Sequence, residues 1–152
     1  DGEAARAELV RRYLAAFGPA TRAEIAGWSG MKVGDFAHLL DRLTVLRDDR
    51  GRQLFDLPRA TRPADDTPAP VRFLPKFDNV LLDRARVLPE EYRKLIVRKN
   101  ADVQPTFTVD GYVAGIWRVE KGRVVTETFA PLPREARREL ADEAARLQAW
   151  LG

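Results

Sequence analysis

The sequence predicts an α+β chain, a winged helix-turn-helix followed by a small mixed β, barrel-like domain with a C-terminal helix. Three observations carry that expectation. Short segments of helical apolar period fill the first 43 residues and lead into paired β-rich runs. A proline-rich stretch at 58–70 has no apolar period. Beyond it, successive β-rich runs are separated by turn residues and followed by a long amphipathic segment. With 152 residues, 45% of them hydrophobic, the chain is long enough for a real core, because chains of about 150 residues bury roughly two thirds of their unfolded surface.

Residues 3–17 read as a helix: Leu9, Val10, Tyr13, Leu14 and Phe17 form one apolar stripe, and Gly18-Pro19 ends it. Thr21-Arg22-Ala23-Glu24 has capping-box spacing, opening a short helix that buries Ile25 and Trp28. After the break Ser29-Gly30-Met31, a third helix is expected to carry Val33, Phe36, Leu39, Leu40 and Leu43. Val45-Leu46-Arg47, the turn Asp48-Asp49-Arg50-Gly51 and Gln53-Leu54-Phe55 read as a β-hairpin. This places a winged helix-turn-helix over 1–57, a proline-rich linker or surface strap over 58–70, and a mixed β domain with its closing helix over 71–152.

In the second module, Val71–Pro75 and Phe77–Leu82 read as strands. Pro89 at the first helical position, with Glu90 and Glu91 behind it, opens a short helix through Tyr92, Leu95 and Ile96 that Lys99-Asn100 closes. Asp110-Gly111 and Lys121-Gly122 separate the β-rich runs 106–109, 112–119 and 123–129, giving a meander or a small barrel whose inward face the alternation leaves open. Ala136, Leu140, Ala144, Leu147 and Leu151 repeat at helical spacing, with a solvated face of alternating Arg and Glu opposite.

Residue types exclude much chemistry. There is no Cys, one His and one Ser, so a disulfide framework, a thiolate metal site, a Cys nucleophile and a serine triad are all ruled out. Neither GxGxxG nor GxxxxGK[ST] occurs. Asp78 reads as a loop carboxylate that accepts backbone amides. No catalytic residue, metal ligand or cofactor is expected. No apolar run reaches the roughly 18 residues of a membrane span, which with the lack of an apolar leader predicts a cytoplasmic protein with no membrane partner. The opening Asp1-Gly2-Glu3 has no initiator Met, so the chain is expected to come from the middle of a longer one.

Charge is more informative. The 26 basic and 23 acidic residues balance nine to nine over 1–57, and four to four over 131–152, whereas 71–130 carries eleven basic against eight acidic. Most of that excess lies in Asp83–Lys99, where Arg84, Arg86, Arg93, Lys94, Arg98 and Lys99 face three acidic side chains. Such a row attracts phosphate and gains from counterion release, although 21 of the 26 basic residues are Arg and Ala is abundant, so a GC-rich coding sequence accounts for the charge equally well. In the first module, Lys32, His38 and Arg42 would face out of the third helix, and Arg47, Arg50 and Arg52 would decorate the wing. Asp35 and Asp41 share the helix face and repel phosphates, so direct base reading and a scaffold or protein-contact role both stand for it.

Phe73-Leu74-Pro75-Lys76-Phe77-Asp78-Asn79-Val80-Leu81-Leu82, Leu88-Pro89-Glu90-Glu91-Tyr92-Arg93 and Pro105 to Trp117 together resemble the bacterial winged-helix DNA-binding family that includes interstrand-crosslink and alkylpurine DNA glycosylases. The resemblance implies tandem winged helices and a β-barrel-like domain around a DNA channel. It also implies metal-free cleavage of the N-glycosidic bond of purines alkylated on a ring nitrogen, by a Gln-x-Gln or Gln-x-Asp pair in an N-terminal portion. Gln53, Gln104 and Gln148 stand alone, so the implied catalytic pair lies outside this chain, which would be a C-terminal part. Relatives carry basic residues to DNA on a hairpin, and the resemblance implies that Leu82-Asp83-Arg84-Ala85-Arg86 would take that place here. Many members have a longer segment there with a His-Ala-Asp-Arg-like stretch, whereas this chain runs straight to Asp83-Arg84.

The expected partners are double-stranded DNA and the N-terminal half of the same protein. The alternatives are a winged-helix transcription regulator, which predicts an enclosed apolar pocket within 71–130, and a structural domain that binds no DNA.

Overall fold

A computed structural model describes residues 2–98 and 102–152, with the backbone alone for 82–85. The chain divides into two compact units, Asp1–Ala64 and Asp65–Gly152, and the division falls inside the proline-rich stretch. Among the described residues no helix is long and apolar enough to cross a membrane.

The first unit opens with α1 (Gly2–Phe17) and α2 (Arg22–Ser29). The capping box forms: Thr21 Oγ1 accepts the Glu24 N–H at 3.2 Å, and Glu24 Oε2 accepts the Thr21 N–H at 2.7 Å. Gly30, at φ 70°, ends α2 in a left-handed cap that a side chain would strain. Ser29 is absorbed by the same turn, its Oγ donating to the Ile25 carbonyl at 2.6 Å and accepting the Met31 N–H at 3.3 Å.

The expected third α-helix is instead two 3₁₀ segments, Val33–Asp35 and Ala37–Arg42. Phe36, at φ −136°, interrupts the helical path between them, and burying its ring completely holds that break in place. Strands β1 (Thr44–Arg47) and β2 (Gln53–Asp56) then pair antiparallel with Val45 opposite Phe55. Ala20 adds a bridge to the free side of β2, exchanging hydrogen bonds with Phe55 at 2.8 and 2.9 Å. Val10, Tyr13, Leu14, Ile25, Phe36, Leu40 and Phe55 form the core. Asp56 is fully buried beside it and takes the Arg62 Nε–H at 2.9 Å, so part of the expected linker belongs to this unit.

In the second unit, β3 (Arg72–Leu74), β4 (Thr106–Val109), β5 (Tyr112–Glu120) and β6 (Arg123–Thr128) form one antiparallel sheet in that order. Of the meander and the barrel, the meander is what forms. Among the described strands β3 and β6 are open edges, because the two turns join sequential neighbours and nothing pairs β6 back to β3. Both faces are covered, which answers the question the alternation left open. Leu81, Leu88 and Ile96 pack with Val113 and Ile116, while Val71 and Phe107 pack with Leu140 of α5 (Arg134–Leu151). Gly115 is required on β5, since a Cβ there would run into the Glu127 carbonyl oxygen and the Phe107 ring. At the outer edge of β6, the Gln148 side-chain amide accepts the Val124 N–H at 2.8 Å and donates to the Gly122 carbonyl at 2.9 Å.

The segment after β3 departs from expectation. Phe77–Leu82 is not a strand but a turn at Lys76 and Phe77 followed by a 3₁₀ segment, Asn79–Asp83, and a single helical turn, α3 (Arg84–Val87). Asp78 drives the change: its Oδ1 accepts the Val80 N–H at 2.8 Å and its carbonyl takes the Leu81 N–H at 3.0 Å, so local bonds replace a ladder. The helix expected from Pro89 is a 3₁₀ turn, Glu90–Tyr92, and then α4 (Arg93–Ile96). Pro89 caps the first turn rather than joining it, and Val97 ends α4 in extended conformation to pair with Val103. Lys99 and Asn100, the expected helix end, lie outside the described residues.

Candidate nucleic-acid interface

The hairpin of the first unit is organised by Asp48. Its Oδ1 accepts the N–H groups of Arg50 and Arg52 at 3.0 and 2.8 Å, and its Oδ2 accepts the Arg52 Nε–H at 2.6 Å. Desolvation opposes its charge, yet the Arg52 guanidinium and the two backbone donors prevail and hold the carboxyl below its ordinary value. Arg47 donates to the Gly51 carbonyl at 3.0 Å, bracing the turn from the other strand. Arg47, Arg50 and Arg52 are all exposed, with Arg47 and Arg52 partly engaged in holding the loop.

On the 3₁₀ segments, Lys32 and Arg42 are exposed. Asp35, which sequence alone sets against a phosphate, is exposed and caps its own 3₁₀ segment, with Oδ2 accepting the Lys32 N–H at 3.2 Å. His38 lies with its Nε2 3.4 Å from Glu3 Oε1. His38, Arg42 and Arg11 rim an open cavity of about 370 Å³ whose floor is Val10, Leu14 and Leu39.

In the second unit the basic row separates into distinct environments. Arg86 is half-buried and engaged with neighbours. Arg93 Nη1 sits 3.3 Å from Glu90 Oε1, in an exposed pair. Lys94 and Arg98 are exposed. The Arg84 side chain and Lys99 lie outside what is described. A further cation, Lys76, was not singled out from sequence. Its Nζ reaches Asp102 Oδ1 at 2.9 Å across 26 positions, a pairing no local spacing signals. The Lys76 hydrogen bond, outweighing desolvation, holds the Asp102 carboxyl below its ordinary value, with Arg98 adding to the effect. Asp102 also takes the Gln104 side-chain amide at 2.9 Å, and its carbonyl accepts the Arg98 N–H at 2.8 Å. Each unit therefore carries exposed guanidinium or ammonium groups on braced backbone, a surface that can bind a polyanion. Among the described residues no three His, Asp or Glu side chains cluster as a metal site.

Fold and surface define an α+β chain of two units, each with its own antiparallel sheet and exposed basic side chains. The chain matches the family described as DNA glycosylase AlkZ-like over residues 1–150. It is 28% identical over 153 residues to the interstrand DNA cross-link repair glycosylase of Streptomyces sahachiroi, covering 90% of this chain and 40% of that protein. The solved structure of Streptomyces sahachiroi DNA glycosylase AlkZ superposes with a TM-score of 0.75 at 27% identity, covering 98% of this chain and 44% of that one. The chain belongs to the AlkZ-like DNA glycosylase family. It spans less than half the length of these relatives.

Proposed function

We propose that the chain serves a longer AlkZ-like DNA glycosylase in the cytoplasm by holding double-stranded DNA through its phosphates, with the bond-breaking glutamine pair outside this chain. The observation that carries this reading is the exposure of Lys94 and Arg98 on one short segment of a chain in a DNA glycosylase family. The first unit supports it as a winged helix whose wing is the β1–β2 hairpin, with Arg50 at the tip. Phosphate contact by the wing suits this unit better than base reading by the third helix, because residues 33–42 are broken 3₁₀ turns and not a straight rod for the major groove.

Fluorescence anisotropy with a labelled duplex over a salt series tests this. Affinity is expected to fall linearly on logarithmic axes, and the Lys94→Glu/Arg98→Glu double variant should flatten the slope by about 2. Unchanged affinity and slope in that variant would discard the surface. The transcription-regulator reading draws on an apolar cavity of about 150 Å³ in the second unit. It predicts strong preference for one duplex sequence, which the same assay reads against scrambled duplexes.

A further inference from the structure

Among the described residues three that are not glycine have positive φ: Phe77 at 58°, Asp110 at 51° and Lys121 at 50°. Asp110 and Lys121 each precede a glycine in a two-residue hairpin turn, where that geometry is what the turn demands. Phe77 has no such reason. A bulky side chain rarely adopts this conformation, and such outliers persist only where the surroundings over-determine them. Here they do. Lys76 is tied to Asp102, and Asp78 is tied to the Val80 N–H, so the turn is held on both sides of Phe77. The product of that strain is an aromatic side chain left 62% exposed.

The ring stands at the rim of the 150 Å³ apolar cavity, whose walls are Leu81, Leu88, Ile96, Val97 and Val103. An apolar cavity of roughly 150 Å³ takes one benzene-sized ring. Asp78 also lines it, and a carboxylate there disfavours a phosphate while accepting N–H groups from an amino-bearing ring. Cations stand on the flanking segments: Lys76, paired with Asp102, precedes Phe77, and the exposed Arg98 follows the wall residue Val97. An aromatic face, a one-ring apolar slot, an acceptor for amino groups and nearby cations together match a nucleobase attached to its phosphate chain. A base stacked in intact duplex cannot reach such a slot, whereas an unpaired one can.

We propose that Phe77 is a base-stacking residue, receiving an unpaired nucleobase of bound DNA against its ring with the base edge entering the adjacent cavity. This rests on the DNA-binding reading above and adds to it a preference for DNA that is locally unpaired.

The test compares a fully paired duplex with the same duplex bearing one unpaired cytosine, the one-ring base that carries an amino group, by anisotropy at fixed salt, in the full chain and in three variants. The unaltered chain is expected to favour the bulged duplex about tenfold, the scale of one base–aromatic stack. Phe77→Trp should keep the preference. Phe77→Gly and Phe77→Leu should lose it, with affinity for the paired duplex unchanged. Phe77→Gly should also melt at higher temperature, because glycine adopts positive φ without strain, and Phe77→Leu serves should the glycine variant fail to fold. Equal binding of both duplexes by the unaltered chain, or preference surviving in Phe77→Leu, overturns this proposal and leaves the phosphate-binding reading standing. Binding to neither duplex overturns both.

Discussion

Asp56 is wholly enclosed in the first unit, yet its carboxylate meets Arg62, six residues on, at 2.9 Å, while its other oxygen takes the Leu57 N–H at 2.8 Å. Through that pair the proline-rich segment closes over the end of β2. Arg62→Ala should therefore destabilise the first unit by about 2–3 kcal/mol, because it strands a buried carboxylate. Arg59→Ala, removing an exposed side chain from the same segment, should change stability by less than about 0.5 kcal/mol. Urea denaturation of both variants checks the difference, and equal midpoints would remove Arg62 from the fold.

Gly115→Ala should destabilise the second unit by about 3 kcal/mol. Its Cβ would meet a carbonyl oxygen and the fully buried Phe107 ring, and neither is the far end of a flexible side chain. Thermal unfolding followed by tryptophan fluorescence reads this, since Trp117 lies on the affected strand. Gly27→Ala, with open space around its Cβ position, is the control and should be neutral or stabilising.

Asp48→Ala should release the tip of the β1–β2 hairpin. The Arg50 and Arg52 amides lose their shared acceptor, so their hydrogen-exchange protection should fall while that of Ile25 in the core stays unchanged. DNA affinity should drop in parallel, because loosened arginines must be ordered on binding. Normal protection at Arg52 in the variant would show that Asp48 does not hold the turn.

Glu8 accepts Arg11 and Arg12 together, at 2.8 and 2.7 Å, and the Arg11 hydrogen bonds, followed by the Arg12 bond, lower its pKa from 4.5 to about 2. A depressed carboxyl stabilises the folded state fully above its unfolded pKa. That contribution fades as pH falls from 4.5 towards about 2. The melting temperature of the first unit should decline through this window, and the part due to Glu8 should be missing in Glu8→Gln. Identical acid profiles would contradict the assignment.

Local chemistry made much of the architecture legible. The Thr21–Glu24 cap, the Asp110-Gly111 and Lys121-Gly122 turns and the stripe ending at Leu140 and beyond each act within a few residues, so sequence displays them. Two segments misled for reasons that are also physical. Val33, Phe36 and Leu39 repeat every three residues, the period of a 3₁₀ helix, and only the following Leu40 and Leu43 suggest the α period. Phe77, Val80, Leu81 and Leu82 are as apolar as a strand, but Asp78 offers its neighbours a closer partner than a ladder.

The candidate interface was half visible. Which residues carry positive charge is written in the chain, and the exposed Lys94 and Arg98 needed nothing more. That Arg86 would be engaged, or that Lys76 would reach Asp102, depends on contacts between distant segments. Phe77 gave no signal, since a phenylalanine among apolar residues reads as core until its backbone angle is known.

Gln148 has a consequence for how this protein behaves in a crowded solution. Its one carboxamide imitates the rung that an additional strand would supply, offering an acceptor to Val124 of β6 and a donor to Gly122 in the turn before it, where the sheet would otherwise recruit a stranger. The opposite border, β3, is only three residues long. A helix whose bulk lies against one face of the sheet thus also polices its margin, and self-association through backbone pairing is discouraged at both ends without a single proline in either strand.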